Sequence, residues 1–141
     1  MIYEFCAENV TLLEKAMQAG ARRIELCDNL AVGGTTPSYG VTKAAVELAA
    51  NYDTTIMTMI RPRGGDFVYN DLEIAIMLED IALTAQAGSQ GVVFGALTAD
   101  KKLDKPNLEK LIAASKGMEI VFHMAFDELS EEDQLEAIDW L

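Results

Sequence analysis

Gln86-Ala87-Gly88-Ser89-Gln90-Gly91-Val92-Val93-Phe94-Gly95 carries two signals in one short run. Gly88 is a helix stop, because glycine enters the left-handed conformation without a Cβ penalty. Gly91 to Gly95 is then a short strand with no polar residue on either face. A strand of that kind is covered on both sides, as in a parallel sheet flanked by helices. The same helix-end turn recurs as Gln18-Ala19-Gly20-Ala21, ahead of a strand from Arg23 to Cys27.

Working outward, strand and helix signals alternate along the chain. The first strand is expected at about Ile2 to Ala7. Thr11 followed by Glu14 reads as a capping box, with Leu12, Leu13, Ala16 and Met17 as the buried stripe. Val41, Ala44, Ala45, Leu48 and Ala49 give the next helix, and Thr54 to Ile60 the third strand, closed by Arg61-Pro62. Asn70 with Glu73 opens a helix whose stripe is expected to be Leu72, Ala75, Ile76 and Leu83. Pro106 precedes a helix carrying Leu108, Leu111 and Ile112. A fifth strand is expected from Glu119 to Phe126, and Ser130 with Asp133 starts a last helix.

Repeated βα units imply a parallel sheet with right-handed crossovers. Two observations favour a barrel over an open doubly wound sheet. Glu8-Asn9-Val10 after the first strand has no glycine, so the dinucleotide fingerprint is missing. Polar and reactive residues also gather near the carboxyl ends of several strands, where barrel enzymes keep their chemistry. The expected fold class is α/β, a (β/α) TIM-type barrel with about five βα units, treated as one partial domain over residues 1–141. A whole barrel needs eight strands and about 250 residues, so the expectation is an incomplete one with unpaired strand edges.

The formal net charge of −12 repels phosphate backbones and argues against nucleic-acid binding. No apolar run reaches bilayer length. Met1-Ile2-Tyr3-Glu4-Phe5-Cys6 lacks the basic lead of a secretory signal. Two cysteines are too few for a secreted disulfide framework. The expected location is the cytoplasm, with both thiols reduced.

A strand period of two puts Glu4 and Cys6 on one face of the first strand and Arg23, Glu25 and Cys27 on one face of the second. Glu-x-Cys thus appears on two strands expected to be neighbours. If their registers match, the thiols meet, and two thiolates hold a soft ion such as Cu(I). The plainer alternative is that each cysteine packs as a small hydrophobe. Met57, Met59 and Met124 are further soft donors, or core filling. His123 is the only histidine, and it shares a strand face with Asp127 if the strand runs on. That pairing would fix one tautomer for ligation or acid–base work. Arg61 and Arg63, beside Gly64-Gly65, form a candidate clamp for a carboxylate or phosphate. The alternative for the two arginines is an internal ion pair with Asp66 or Glu25.

Ile24-Glu25-Leu26-Cys27-Asp28-Asn29-Leu30-Ala31 through Gly33-Gly34-Thr35-Thr36-Pro37-Ser38-Tyr39-Gly40 resembles the signature of the CutC family, the so-called copper homeostasis proteins. So do Met59-Ile60-Arg61-Pro62-Arg63-Gly64-Gly65-Asp66-Phe67, Gly91 through Thr98, and Phe122-His123-Met124-Ala125-Phe126-Asp127. The resemblance implies a cytoplasmic TIM-type barrel, homodimer formation, and a role in copper tolerance by binding or trafficking Cu(I). It implies that Cys6 and Cys27 are the copper ligands, and that Arg61, His123 and Asp127 lie at the barrel mouth. It also implies a longer barrel, with three more strands, and an arginine where this chain has Met124.

Two functions follow as expectations. The first is Cu(I) binding through Cys6 and Cys27. The second is a barrel enzyme, lyase- or isomerase-like, acting on a small anionic substrate: Arg61 and Arg63 would bind the anion, His123 would serve as acid–base, and Glu25 or Asp127 would assist.

Overall fold

The computed structural model describes residues 1–141. Five strands alternate with five helices: β1 (Glu4–Glu8), α1 (Leu13–Gln18), β2 (Arg23–Cys27), α2 (Tyr39–Ala49), β3 (Thr55–Met59), α3 (Asp71–Ala87), β4 (Gly91–Phe94), α4 (Lys105–Ala114), β5 (Glu119–Phe122) and α5 (Glu131–Trp140). The strands form one sheet in the order β1-β2-β3-β4-β5, and every pair is parallel. An order without reversal is the winding of a TIM-type barrel. A doubly wound sheet reverses direction at a switch point, and this one does not.

The alternation of side chains sorts the strands into two faces. Ile24, Leu26 and Ile56 pack with Leu13, Met17, Ala45 and Ala49 of the first two helices. Val92 and Phe94 pack with Ile74, Met77, Ile81, Leu108 and Leu111 of α3 and α4. The opposite face carries a smaller buried group of Cys27, Met57, Met59 and Val93. The cysteines, Glu25 and the strand-end polar residues therefore belong to the side away from the helices.

Three local expectations are corrected. Thr11 does not cap α1: Asn9 (φ 53) and Leu12 (φ 59) turn the chain sharply, and Leu12 occupies the cap position without a side-chain bond. The buried stripe of α3 is Ile74, Met77, Ile81 and Thr84, while Leu72 and Ile76 are exposed. Apolar residues lie all round that helix, so periodicity alone could not select the face. The fifth strand stops at Phe122, and Met124–Glu128 coils into a 3₁₀ turn. The caps at Asn70–Glu73 and Ser130–Asp133 form as expected, the first as a full capping box.

Gly91 is required by packing. It lies opposite Met57 in the β3–β4 register, and a Cβ there would fall 2.6 Å from Met57 Sδ and 2.8 Å from the Glu119 carbonyl oxygen. Met57 can shift but the β5 backbone cannot, so Gly91→Ala is expected to lower stability by about 1–3 kcal/mol. Urea unfolding measures this, and an unchanged midpoint would contradict the packing described.

Candidate functional site

The β1–β2 register places Cys6 opposite Glu25 and Cys27 opposite Glu8. The cysteines are thus diagonal neighbours, offset by one pleat. Their sulfurs still approach to 3.9 Å, because the side chains lean toward each other across the sheet. Glu25 lies between them, with Oε1 3.6 Å from Cys6 Sγ and 3.7 Å from Cys27 Sγ. All three ligand atoms fall within 4.8 Å of one another. Cys27 is fully buried, whereas Cys6 is exposed on the edge strand.

Burial raises the Cys27 thiol far above its ordinary value, with Cys6 and Glu25 adding to the effect. Cys6 is raised by burial and by the Glu25 charge. Glu25 is itself raised, by burial and then by Glu4. Both thiol shifts favour protonated thiols directed at the Glu25 carboxylate. A bound cation reverses that preference by compensating the negative charge.

The loop after β2 closes over this cluster. Gly34 (φ 89) approaches so near that a Cβ would lie 3.0 Å from Cys27 Sγ and 3.6 Å from the Met59 methyl. Met57 turns its sulfur toward Gly91, and Met124 rests its methyl against Gly33.

Arg61 follows β3 and is 2 % exposed. Its Nη1 donates to the carbonyl oxygens of Val32 (2.7 Å) and Gly34 (2.9 Å), and its Nη2 to that of Gly65 (2.8 Å). The guanidinium also lies 4.8 Å from the centre of the Phe67 ring. Arg63 does not join it in a clamp. Glu73 and Asp66 pair with Arg63, which stacks on Tyr69. The expected ion pair with Asp66 therefore exists, but on Arg63.

His123 directly follows β5 and is 6 % exposed. The expected pairing with Asp127 does not form, because the chain coils after Phe122 and leaves Asp127 exposed. The Ala125 N–H instead donates to His123 Nδ1 at 3.2 Å. Burial, with the Arg61 charge second, pulls the imidazole pKa down to about 4.

The structure thus gathers Cys6, Glu25 and Cys27 at one place and Arg61 and His123 at another. Glu25, expected to assist in acid–base chemistry, lies instead against the thiol pair. The repeated Glu-x-Cys was the available signal.

The sequence profile of the CutC family matches residues 1–141. The chain is 55% identical over 141 residues to a family protein CutC of Enterococcus faecalis, and 54% identical to one of Streptococcus pyogenes; it covers 68% of each of those proteins. A Streptococcus agalactiae crystal structure, provisionally described as the copper homeostasis protein CutC, matches 99% of this chain with a TM-score of 0.95 and 50% identity, over 66% of that chain. This chain therefore spans about two thirds of the length of those relatives. A rubisco-like protein of Burkholderia fungorum shares the fold alone, with a TM-score of 0.66 at 12% identity.

The depressed His123 pKa gives a signed pH dependence. The unfolded imidazole titrates near 6.5, so between pH 6.5 and about 4 the unfolded state binds more protons. The stability that His123 contributes by staying neutral is complete above that window and is lost as pH falls through it, amounting to about 3 kcal/mol. Thermal unfolding of wild type and His123→Gln from pH 7 to 4 isolates it. The wild type is expected to lose more stability than the variant; parallel curves would contradict the assignment.

Proposed function

This chain belongs to the CutC family, and we propose from that premise that it holds Cu(I) as cargo between Cys6 and Cys27, with Glu25 beside them. The observation that carries the proposal is the 3.9 Å approach of two thiols around one carboxylate. Metal–thiolate bonds are about 2.3 Å for zinc. With bonds of that length, the present spacing gives a sulfur–metal–sulfur angle of about 115°, and a small opening takes it toward linear. A bent pair leaves room for the Glu25 oxygen as third donor.

The same diagonal offset opposes a disulfide. Strands lie about 4.8 Å apart and one pleat spans about 6.6 Å, so the Cα atoms are about 8 Å apart. That exceeds the span a disulfide bridges without backbone movement. The pair is placed to share an ion and remain reduced. Binding releases one proton from each thiol to solvent, and Glu25 stays a carboxylate beside the ion. Exposed Cys6 is the point of entry and transfer, and buried Cys27 retains the ion. Residence in a reducing cytoplasm and homodimer formation belong to the same proposal. No helix is long and apolar enough to cross a membrane.

The second reading, a barrel enzyme of lyase or isomerase type on a small anionic substrate, is favoured by Arg61 and His123 at the carboxyl ends of β3 and β5.

A competition titration against a Cu(I) chelator tests the first reading. Cys27→Ser is expected to weaken binding by more than about 100-fold, or roughly 3 kcal/mol. The logarithm of the wild-type affinity is expected to rise with pH at a slope approaching two, one for each thiol proton released. Unchanged affinity in the variant, or a pH-independent affinity, would remove the proposal.

A further inference from the structure

Arg61 is the one buried cation in a chain of 23 acidic and 11 basic residues. None of the six ion pairs includes it. A desolvated charge without a counter-charge is strongly unfavourable, and carbonyl dipoles offset only part of that penalty. The three carbonyl bonds also leave donors unused: Arg61 Nε is buried and has no partner, and the buried hydroxyl of neighbouring Tyr69 has none either.

His123 shows the same deficit. Nδ1 accepts the Ala125 N–H, so it carries the lone pair and the proton sits on Nε2. Nε2 is buried without an acceptor. Buried N–H groups are satisfied in native proteins with few exceptions, and each exception calls for an explanation.

The two open donors lie on the same side of the sheet, at the carboxyl ends of strands separated only by β4. Between them stands Gly95, where a Cβ would meet the His123 ring at 2.8 Å. One ring adjoins both groups. Phe67 lies 4.8 Å from the Arg61 guanidinium and 5.0 Å, centre to centre, from the imidazole. Phe67 is also a wall of a cavity of about 570 Å³ whose lining includes Asp66, Lys101 and Glu128; Arg61 and His123 lie behind that wall and do not line it. A water molecule would satisfy one or both donors but leave the guanidinium charge unbalanced. An oxyanion does both.

We propose that Arg61 Nε and His123 Nε2 donate to one anionic oxygen group, a carboxylate or phosphate of a small molecule, bound at the carboxyl ends of β3 and β5 beside Phe67. The site is separate from the thiol cluster and does not rest on the copper reading. It rests on the second reading for the class of ligand and deepens it by naming the donors. Arg63, engaged by Glu73 and Asp66, takes no part. Position supports the site independently, because barrels of this type bind their ligands at this end.

The single histidine gives a clean readout. The Hε1–Cε1 resonance of His123 is followed by NMR in the full chain at pH 7 while sodium phosphate, or in a second arm sodium acetate, is added. Sodium chloride at matched ionic strength is the control. The expected result is a saturable shift with at least one oxyanion, half-complete on the order of millimolar, and none with chloride. The arm that saturates identifies the phosphate or carboxylate source. Arg61→Gln is expected to weaken the response at least tenfold. Should that variant not fold, thermal unfolding replaces it: the oxyanion raises the midpoint of wild type but not of His123→Asn. No saturable shift in either arm, an equal response to chloride, or a full response in the variants would overturn the proposal. No arm of this experiment contains copper, so failure here and failure of the copper titration are read separately.

Discussion

The constraint on which the rest depends is the pairing of β1 with β2, with Cys6 opposite Glu25. Side chains alternate across a strand, so a slip of one residue would turn Cys6 into the helix layer, away from Glu25 and Cys27. A slip of two would put the cysteines side by side, at the separation that suits a disulfide. The observed register avoids both. It leaves the sulfurs close, their backbones apart, and a carboxylate between them. What excludes the slip of one is apolar: Phe5 and Ala7 must face the helices together with Ile24 and Leu26.

The thiol cluster and the strand-end arginine are mechanically linked. The carbonyl oxygen of Gly34 accepts from Arg61, while the α-carbon side of the same glycine presses on Cys27. Arg61 thereby pins the loop that shields the buried thiol. Gly33 and Gly34 both adopt positive φ there, a conformation that other residues reach only with strain. The Gly-Gly pair is thus demanded by backbone shape and by lack of space.

The order of elements was legible from the sequence because each βα unit carries its own punctuation: Gly88 ahead of β4, the Asn70–Glu73 box ahead of α3. Glu25 and Cys27 could be assigned to one face by alternation alone. The distance from Cys6 could not, because it depends on a register set by packing in a different layer. Arg61 and Arg63 looked equivalent in sequence, two residues apart beside glycines. Only tertiary structure separates them, giving Arg63 two carboxylates and Arg61 three carbonyls. His123 and Asp127 looked paired because the strand signal continued to Phe126. Instead the backbone turned, and the imidazole took a local N–H.

The central claim is that Cys6 and Cys27 act as one ligand pair, across two strands, on a single soft ion. Copper K-edge X-ray absorption of the Cu(I)-loaded chain tests it most directly. The account predicts two sulfur scatterers in the first shell of each copper, falling to one or none in Cys6→Ser. A first shell of nitrogen and oxygen alone, or one unchanged by that substitution, would contradict it.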